Sequence, residues 1–318
     1  MADFTADLLD RPGVQAACTV ALAYLDDATA AAARLSDRTD GEALHDFRVA
    51  IRRLRVTVRA YPGLYESVPK KKRERLKQLA RTTNTARDTE VQLAWFRDRA
   101  AQFTPAQRAA LGPFRARLRA RRRRARAHTQ VKLQRRFDKL QRKLRRQLTA
   151  VQSDPGAGEP PFRAIAAATL VQHATALNAR LANVSASTEA ADLHATRIAA
   201  KRLRYLLEPV GSALPRGSKL VQRLKSLQDL FGELTDAHGL ETELRGGGEG
   251  TVAATNLLRA EVAALFTELE SEWSTGGKDL EREVAMAARQ LRPALKPPRT
   301  PARRRRLRRP LLGDLAGR

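Results

Sequence analysis

Cysteine is nearly absent: Cys18 is the only one in 318 residues, so neither an intramolecular disulfide nor a cysteine-based metal site can be built. Aromatic residues are scarce at 5%, which leaves few platforms for stacking bases. No run of about 18 uninterrupted apolar residues occurs, so no spanning helix is expected. The opening MADFTADLLDRPG lacks a basic start followed by an apolar stretch. No secretory signal is therefore expected, and a cytoplasmic location follows by elimination. Enzyme signatures are missing as well. Gly276-Gly277-Lys278-Asp279 has neither the spacing nor the hydroxyl of a phosphate-binding loop. No nucleophile elbow or His-Glu-x-x-His pattern is present. His128, His173 and His238 share no spacing with other ligand-type residues, so neither a metal site nor a cofactor is expected.

Acidic residues are in short supply: 34 Asp and Glu stand against 60 Lys and Arg, a formal charge of +26. Such an excess repels itself in a compact chain and attracts polyanions, which brings in nucleic acid, acidic membrane surfaces and phosphate polymers. Residues 115–146 carry 16 Lys and Arg and one acid, a net of +15. Residues 294–318 carry nine and one, a net of +8, which leaves only +3 for everything else. Outside these two segments, placement of charge must matter more than its quantity.

Apolar residues make up 42% of the chain, enough for a core. Ala, Leu, Arg, Glu and Gln dominate, all strong helix formers, and no segment keeps the two-residue alternation of a strand. Proline and glycine fall at breaks: Pro12-Gly13, Pro62-Gly63, Pro69, Gly112-Pro113, Pro209, Gly211 and Pro215. Thr104-Pro105-Ala106-Gln107 reads as a capped helix start. Within the basic segment, Leu133, Phe137, Leu140, Leu144 and Leu148 form a helical stripe, whereas the arginines of 121–126 point all round and read as solvated. Residues 153–161 (SDPGAGEPP) are the clearest linker, and 246–250 (GGGEG) a second flexible joint. From residue 293 on, PPRTPARRRRLRRP reads as a basic, disordered tail suited to a plain electrostatic role.

The two halves repeat each other. Residues 44–55 (LHDFRVAIRRLR) align without a gap with residues 193–204 (LHATRIAAKRLR), at an offset of 149. Residues 77–88 pair with 225–236 at an offset of 148, which sets Lys77 against Lys225 and Asp88 against Asp236. The two aspartates fit a role in orienting basic side chains. On a helix, His45, Arg48, Arg52, Arg55 and Arg59 share an arc of about 80°. Leu44, Phe47, Ile51, Leu54 and Val58 fill the adjoining arc, and Arg53 lies apart from both. The second copy repeats the cationic edge with His194, Arg197, Lys201 and Arg204 beside Leu193, Leu203 and Leu207, but Glu208 replaces Arg59. From His45 to Arg59 the row spans about 21 Å, which suits a linear polymer charged at every unit. Arginine offers a planar fork to two phosphate oxygens, and lysine adds a point charge.

These blocks resemble the paired signature of CHAD domains, the histidine-bearing α-helical domains. The following segments, ARDTEVQL and LQDLFGELTDAHGLETEL, are similar to that family's second motifs. The resemblance covers roughly residues 10–292. It implies an all-α fold of two tandem four-helix units, 10–152 and 162–292, related by a pseudo-twofold axis around a basic channel. It implies binding of inorganic polyphosphate without catalysis, with possible placement on polyphosphate granules. The implied contacts are His45, Arg48, Arg52 and Arg55, then His194, Arg197, Lys201 and Arg204, with Lys77 and Lys225 on the following helices. Arg53 and Arg202 also match the motif, and Arg59 prolongs the first row. CHAD domains often accompany a triphosphate-tunnel domain marked by Glu-x-Glu-x-Lys; residues 268–272 here (ELESE) do not match it. The alternative is a nucleic-acid-binding protein using the basic helices and tail.

Overall fold

The computed structural model describes residues 4, 6–37, 40–153, 158–273 and 276–291, apart from the side chains of 6, 126–132 and 276. The basic tail from 293 on lies outside the described residues. Within them the chain is helical, and a lone bridge between Pro12 and Pro161 is the only strand-like pairing. The first half contains α1 (Gly13–Arg34), α2 (Ala43–Ala60), α3 (Pro62–Ser67), α4 (Lys70–Thr82), α5 (Asn84–Asp98), α6 (Pro105–Ala110) and α7 (Gly112–Gln152). The second contains α8 (Phe162–Leu181), α9 (Ala190–Leu207), α10 (Gly217–Arg245), α11 (Val252–Trp273) and α12 (Gly276–Leu291).

Proline and glycine punctuate these helices as the sequence suggests. Pro12 caps α1, Pro62 opens α3, Pro69 caps α4, and Gly112-Pro113 opens α7. At α6 the Thr104 hydroxyl accepts from the Gln107 amide at 3.2 Å, and the Thr104 amide donates to Gln107 Oε1 at 2.9 Å, a complete capping box. The break at Thr83 has neither residue type. There the Thr83 hydroxyl donates to the Ala80 carbonyl at 2.8 Å, a local bond that competes with the helical ladder.

The same order of contacts recurs in each half. The first helix packs on the second and on the last: α1 on α2 and α7, α8 on α9 and α12. The third stretch packs on the fourth: α5 on α7, α10 on α11. Counting the interrupted stretches α4–α5 and α11–α12 once each, four long helical stretches build each half. The halves meet where α1 touches α8 and α2 touches α9. The apolar edge of α2 supplies Phe47, Ile51, Leu54 and Val58 to the core, and α9 supplies Leu193, Leu203 and Leu207. The stripe on α7 is buried from Leu133 to Leu148, with Phe47 and Phe137 edge to face at 5.1 Å.

A second, smaller core lies apart from the main one. It joins Phe96, Phe103, Phe114 and Leu118 of the first half to Leu240, Leu244 and Leu258 of the second. α7 is 41 residues long, about 60 Å, and its two ends serve the two cores. Between them, Arg121 reaches the space between the halves.

Candidate functional site

One cavity of about 1020 Å³ lies between the halves. From α2 it receives Arg48, Arg52, Arg55 and Arg59; from α9 it receives His194, Arg197, Lys201 and Arg202. The two cationic rows therefore face into one shared space. Its lining holds nine lysines and arginines against Asp88, Asp236 and Glu243, an excess of six positive charges when all are ionised.

Two arginines are anchored rather than free. Arg48, only 6% exposed, donates through Nη1 to Thr83 Oγ1 at 2.6 Å and to Asn84 Oδ1 at 3.3 Å. Arg197 donates through Nη1 to Thr235 Oγ1 at 2.7 Å and to Asp236 Oδ1 at 3.2 Å. Each threonine hydroxyl donates in turn to a helix carbonyl, so a relay fixes each guanidinium. These partners stand at an offset of 152, four residues from the 148 of the motif alignment and about one helical turn away. Asp236 thus orients an arginine, while its aligned partner Asp88 does not; Thr83 and Asn84 hold that place in the first half.

Arg197 lies flat on α10, where Gly232 leaves room for it: a Cβ there would sit 3.1 Å from Arg197 Nη2. An alanine at 232 would press on this guanidinium by a few tenths of an ångström.

Among the described residues, no carboxylate pairs with Arg52, Arg55, Arg59, Arg81, Lys201 or Arg202, all of which line the cavity. Burial, with neighbouring cations acting in the same direction, depresses Arg55, Lys201 and Arg202. Burial lowers the Lys201 ammonium to about 6, and Arg197 and Arg52 beside it act in the same direction. Burial and the neighbouring Arg52 lower Arg48 to about 10. Burial also lowers His194, helped by Arg197 and Lys201, and His173, helped by Arg202 and Arg59. The empty cavity is an electrostatically unfavourable place that an anion would relieve.

The structure places several expected contacts outside the cavity lining. Arg53 and Arg204 turn away from the cavity, drawn by Glu208: Arg53 Nε lies 2.8 Å and Arg204 Nη1 3.5 Å from its carboxylate. The substitution that shortens the second cationic row thus ties two other motif arginines together at the contact between halves. His45 is exposed and outside the cavity lining, as is Lys225; Lys77 lies outside it too, 3.7 Å from Glu74. Arg202, whose angle left its role open, does line the cavity. Arg121, read from sequence as part of a solvated run, lines it as well and bridges to Glu243 at 2.6 Å.

Three lining residues had little or no sequence signal. Arg81 lies one turn beyond Lys77, the only available hint. His173 comes from α8, which carries no motif. Gln92 lines the cavity with its buried Oε1 lacking a donor among the described residues. Among those residues, no helix is long and apolar enough to cross a membrane, and no three His, Cys, Asp or Glu side chains gather to hold a metal.

Comparison with known proteins matches this arrangement to a described fold. No curated protein matches the chain. The crystal structure of the CHAD domain from the plant Ricinus communis shares the fold with a TM-score of 0.64 at 19% identity, covering 89% of this chain and 96% of that one. PptA from Streptomyces chartreusis does so with a TM-score of 0.60 at 17% identity, covering 88% and 100%. At these identities the likeness is one of fold. A family model for the CHAD domain matches residues 19–245, a narrower span than the 10–292 suggested by the motifs. That match covers well over half of the 318 residues, and this chain belongs to the CHAD domain family.

Proposed function

We propose that the protein binds inorganic polyphosphate in the cavity between its halves, holds it without turnover, and through it associates with polyphosphate granules. The observation that carries this reading is the set of six cations without a carboxylate partner among the described residues, contributed by both halves around one space. The two halves, by this reading, are arranged about a pseudo-twofold axis that brings the rows to opposite sides of the polymer. A chain of phosphates offers a charge to each cation along the rows; a single small anion could meet only a few. Arg48 and Arg197, fixed by their threonine relays, would orient the chain, and the unpaired cations would adapt to it.

Nucleic acid is the competing ligand. The lining contains a single aromatic residue, Tyr205, and that ring already lies under Arg53 and Arg204, at 5.6 and 4.8 Å. Stacking of bases is therefore poorly supported. The test is a competition titration. Long-chain polyphosphate should displace a bound oligonucleotide at far lower concentration than the oligonucleotide displaces polyphosphate, and the reverse order would favour nucleic acid. Incubation with polyphosphate and magnesium should release no phosphate; steady release abolished by His194→Ala would make the site catalytic.

Binding should also be proton-linked. The charged groups facing Lys201 are Arg52 of α2, Arg197 and Arg204 of α9, and Asp236 of α10. With its ammonium at about 6 in the empty cavity, Lys201 is largely neutral at pH 7.5. Surrounding phosphates raise it again, so binding takes up a proton, and affinity falls as pH rises from 5 to 8. Calorimetry in buffers of different ionisation enthalpy at pH 7.5 should report that uptake, and Lys201→Arg should remove most of it. The same shift acts on the empty protein. The unfolded chain holds the Lys201 proton up to about 10.5, whereas the folded chain releases it near 6. This residue's contribution therefore makes the apo form more stable as pH climbs through that window.

A further inference from the structure

Lys77 belongs to the repeated motif yet lies outside the cavity, and its surroundings differ between the halves. On α4, Lys70, Lys77 and Arg81 fall within about 40° of one another around the helix. Arg81 lines the cavity, and its charge acts on Arg55. From Arg81 back to Lys70 is about 16 Å along the helix. Lys70 and Arg81 are exposed, and Glu74, the one acid on this helix, touches Lys77 only through a solvent-exposed contact of 3.7 Å, a weak one. At the start of α4, Lys72 Nζ donates to the Lys143 carbonyl at 3.2 Å and to Gln147 Oε1 at 2.9 Å. This seats α4 against α7, where Arg136, Lys139, Lys143 and Arg146 are exposed. The row of Arg81, Lys77 and Lys70 carries positive charge outward from the cavity edge along α4, on the side of the helix away from Lys72.

The second half differs: on α10 the exposed Lys225 is followed on the same face by acids. In the register set by the two arginine anchors, Asp229 stands where Lys77 does, Glu233 where Arg81 does, and Gln222 where Lys70 does. Asp229 and Glu233 are both exposed. Burial and the nearby Glu268, with Asp229 and Glu261 adding to them and Arg99 opposing, raise the Glu233 carboxyl, which marks this face as a cluster of negative charge.

We propose, on the basis of the polyphosphate reading, that a long polyphosphate leaves the cavity on one side only, past Arg81 and along α4 over Lys77 and Lys70. The Asp229 and Glu233 face repels it from the corresponding path on the second half. The site is therefore directional despite its repeated architecture, and its footprint on a long chain exceeds the cavity.

The experiment compares tripolyphosphate, short enough to stay within the cavity, with long-chain polyphosphate. Wild type, Lys70→Glu/Lys77→Glu and Asp229→Lys are titrated with each, and far-UV circular dichroism confirms their helicity. Tripolyphosphate should bind all three alike. The long chain should bind the α4 variant about tenfold more weakly, from the loss of two phosphate contacts with their counterion release, and should bind Asp229→Lys several-fold more tightly. Equal long-chain affinity for wild type and the α4 variant would overturn the path while leaving the cavity reading intact. So would an equal loss for both ligands, which would mean that α4 acts through the cavity. Failure of wild type to bind either ligand would overturn the cavity reading itself, and the path with it.

Discussion

Reversing Arg52 and Lys201 together, as Arg52→Glu/Lys201→Glu, should lower polyphosphate affinity at least about a hundredfold, the worth of two charge-assisted contacts, while leaving helix content unchanged. Arg52 sits at the electrical centre of the cavity. Its charge helps lower Arg48 and Arg55 on its own helix and His194 and Lys201 across the gap. With every group ionised, the double reversal cuts the cavity's excess from six positive charges to two. Neither side chain holds an ion pair among the described residues, so their loss breaks no internal partnership. Relief of repulsion should leave the empty variant at least as stable as wild type. Titration calorimetry with a thermal melt of each protein separates the two effects. Unchanged affinity would move the binding site to the tail or to residues 115–146.

The second large effect falls on stability. Glu208→Ala should destabilise the protein by about 3–5 kcal/mol, the usual consequence of stranding one side of a buried ion pair. Two arginines lose a carboxylate partner at once. The Arg53 and Glu208 side chains are 12% and 10% exposed, so water cannot readily replace the contact. Arg53 also lies between the rings of Tyr24 and Tyr205, at 5.7 and 5.6 Å, which fixes it in place after its counter-charge is gone. The midpoint of thermal unfolding should fall on the order of 5–10 °C. Glu208→Ala/Arg53→Met should recover part of it, because it removes one of the two charges left behind. Polyphosphate affinity below the transition should stay within about threefold of wild type, since neither residue lines the cavity. A melt that matches wild type would show that Glu208 is not the latch between the halves.

Most of this architecture was legible before any coordinates, and for specific reasons. The helical edges around His45 and His194 combine an apolar stripe with a cationic one, and a 3.6-residue period fixes their angle to each other regardless of context. Burial of Phe47, Ile51, Leu54 and Val58 then turns Arg48, Arg52, Arg55 and Arg59 to the edge of the core. Proline and glycine marked most helix ends because their backbone constraints are local. The break at Thr83 was not legible, because a threonine–arginine contact between distant helices accompanies it. That break also displaced the two halves by one turn, so aligning Asp88 with Asp236 misassigned an orienting role. Arg53 and Arg204 carry the motif's residue types, but their direction depended on Glu208, a charge reversal whose partners only the packed halves reveal. His173 and Arg121 reach the cavity from α8 and α7, helices with no repeated motif, so no internal comparison could have found them.

The account stands on both cationic rows gripping the same stretch of polymer. A crystal structure of the protein with bound polyphosphate tests that directly. Phosphates should thread between Arg52 and Lys201, with Arg48 and Arg197 at hydrogen-bond distance on either side. Polymer bound only to outer helical faces, above an empty space between the halves, would contradict it.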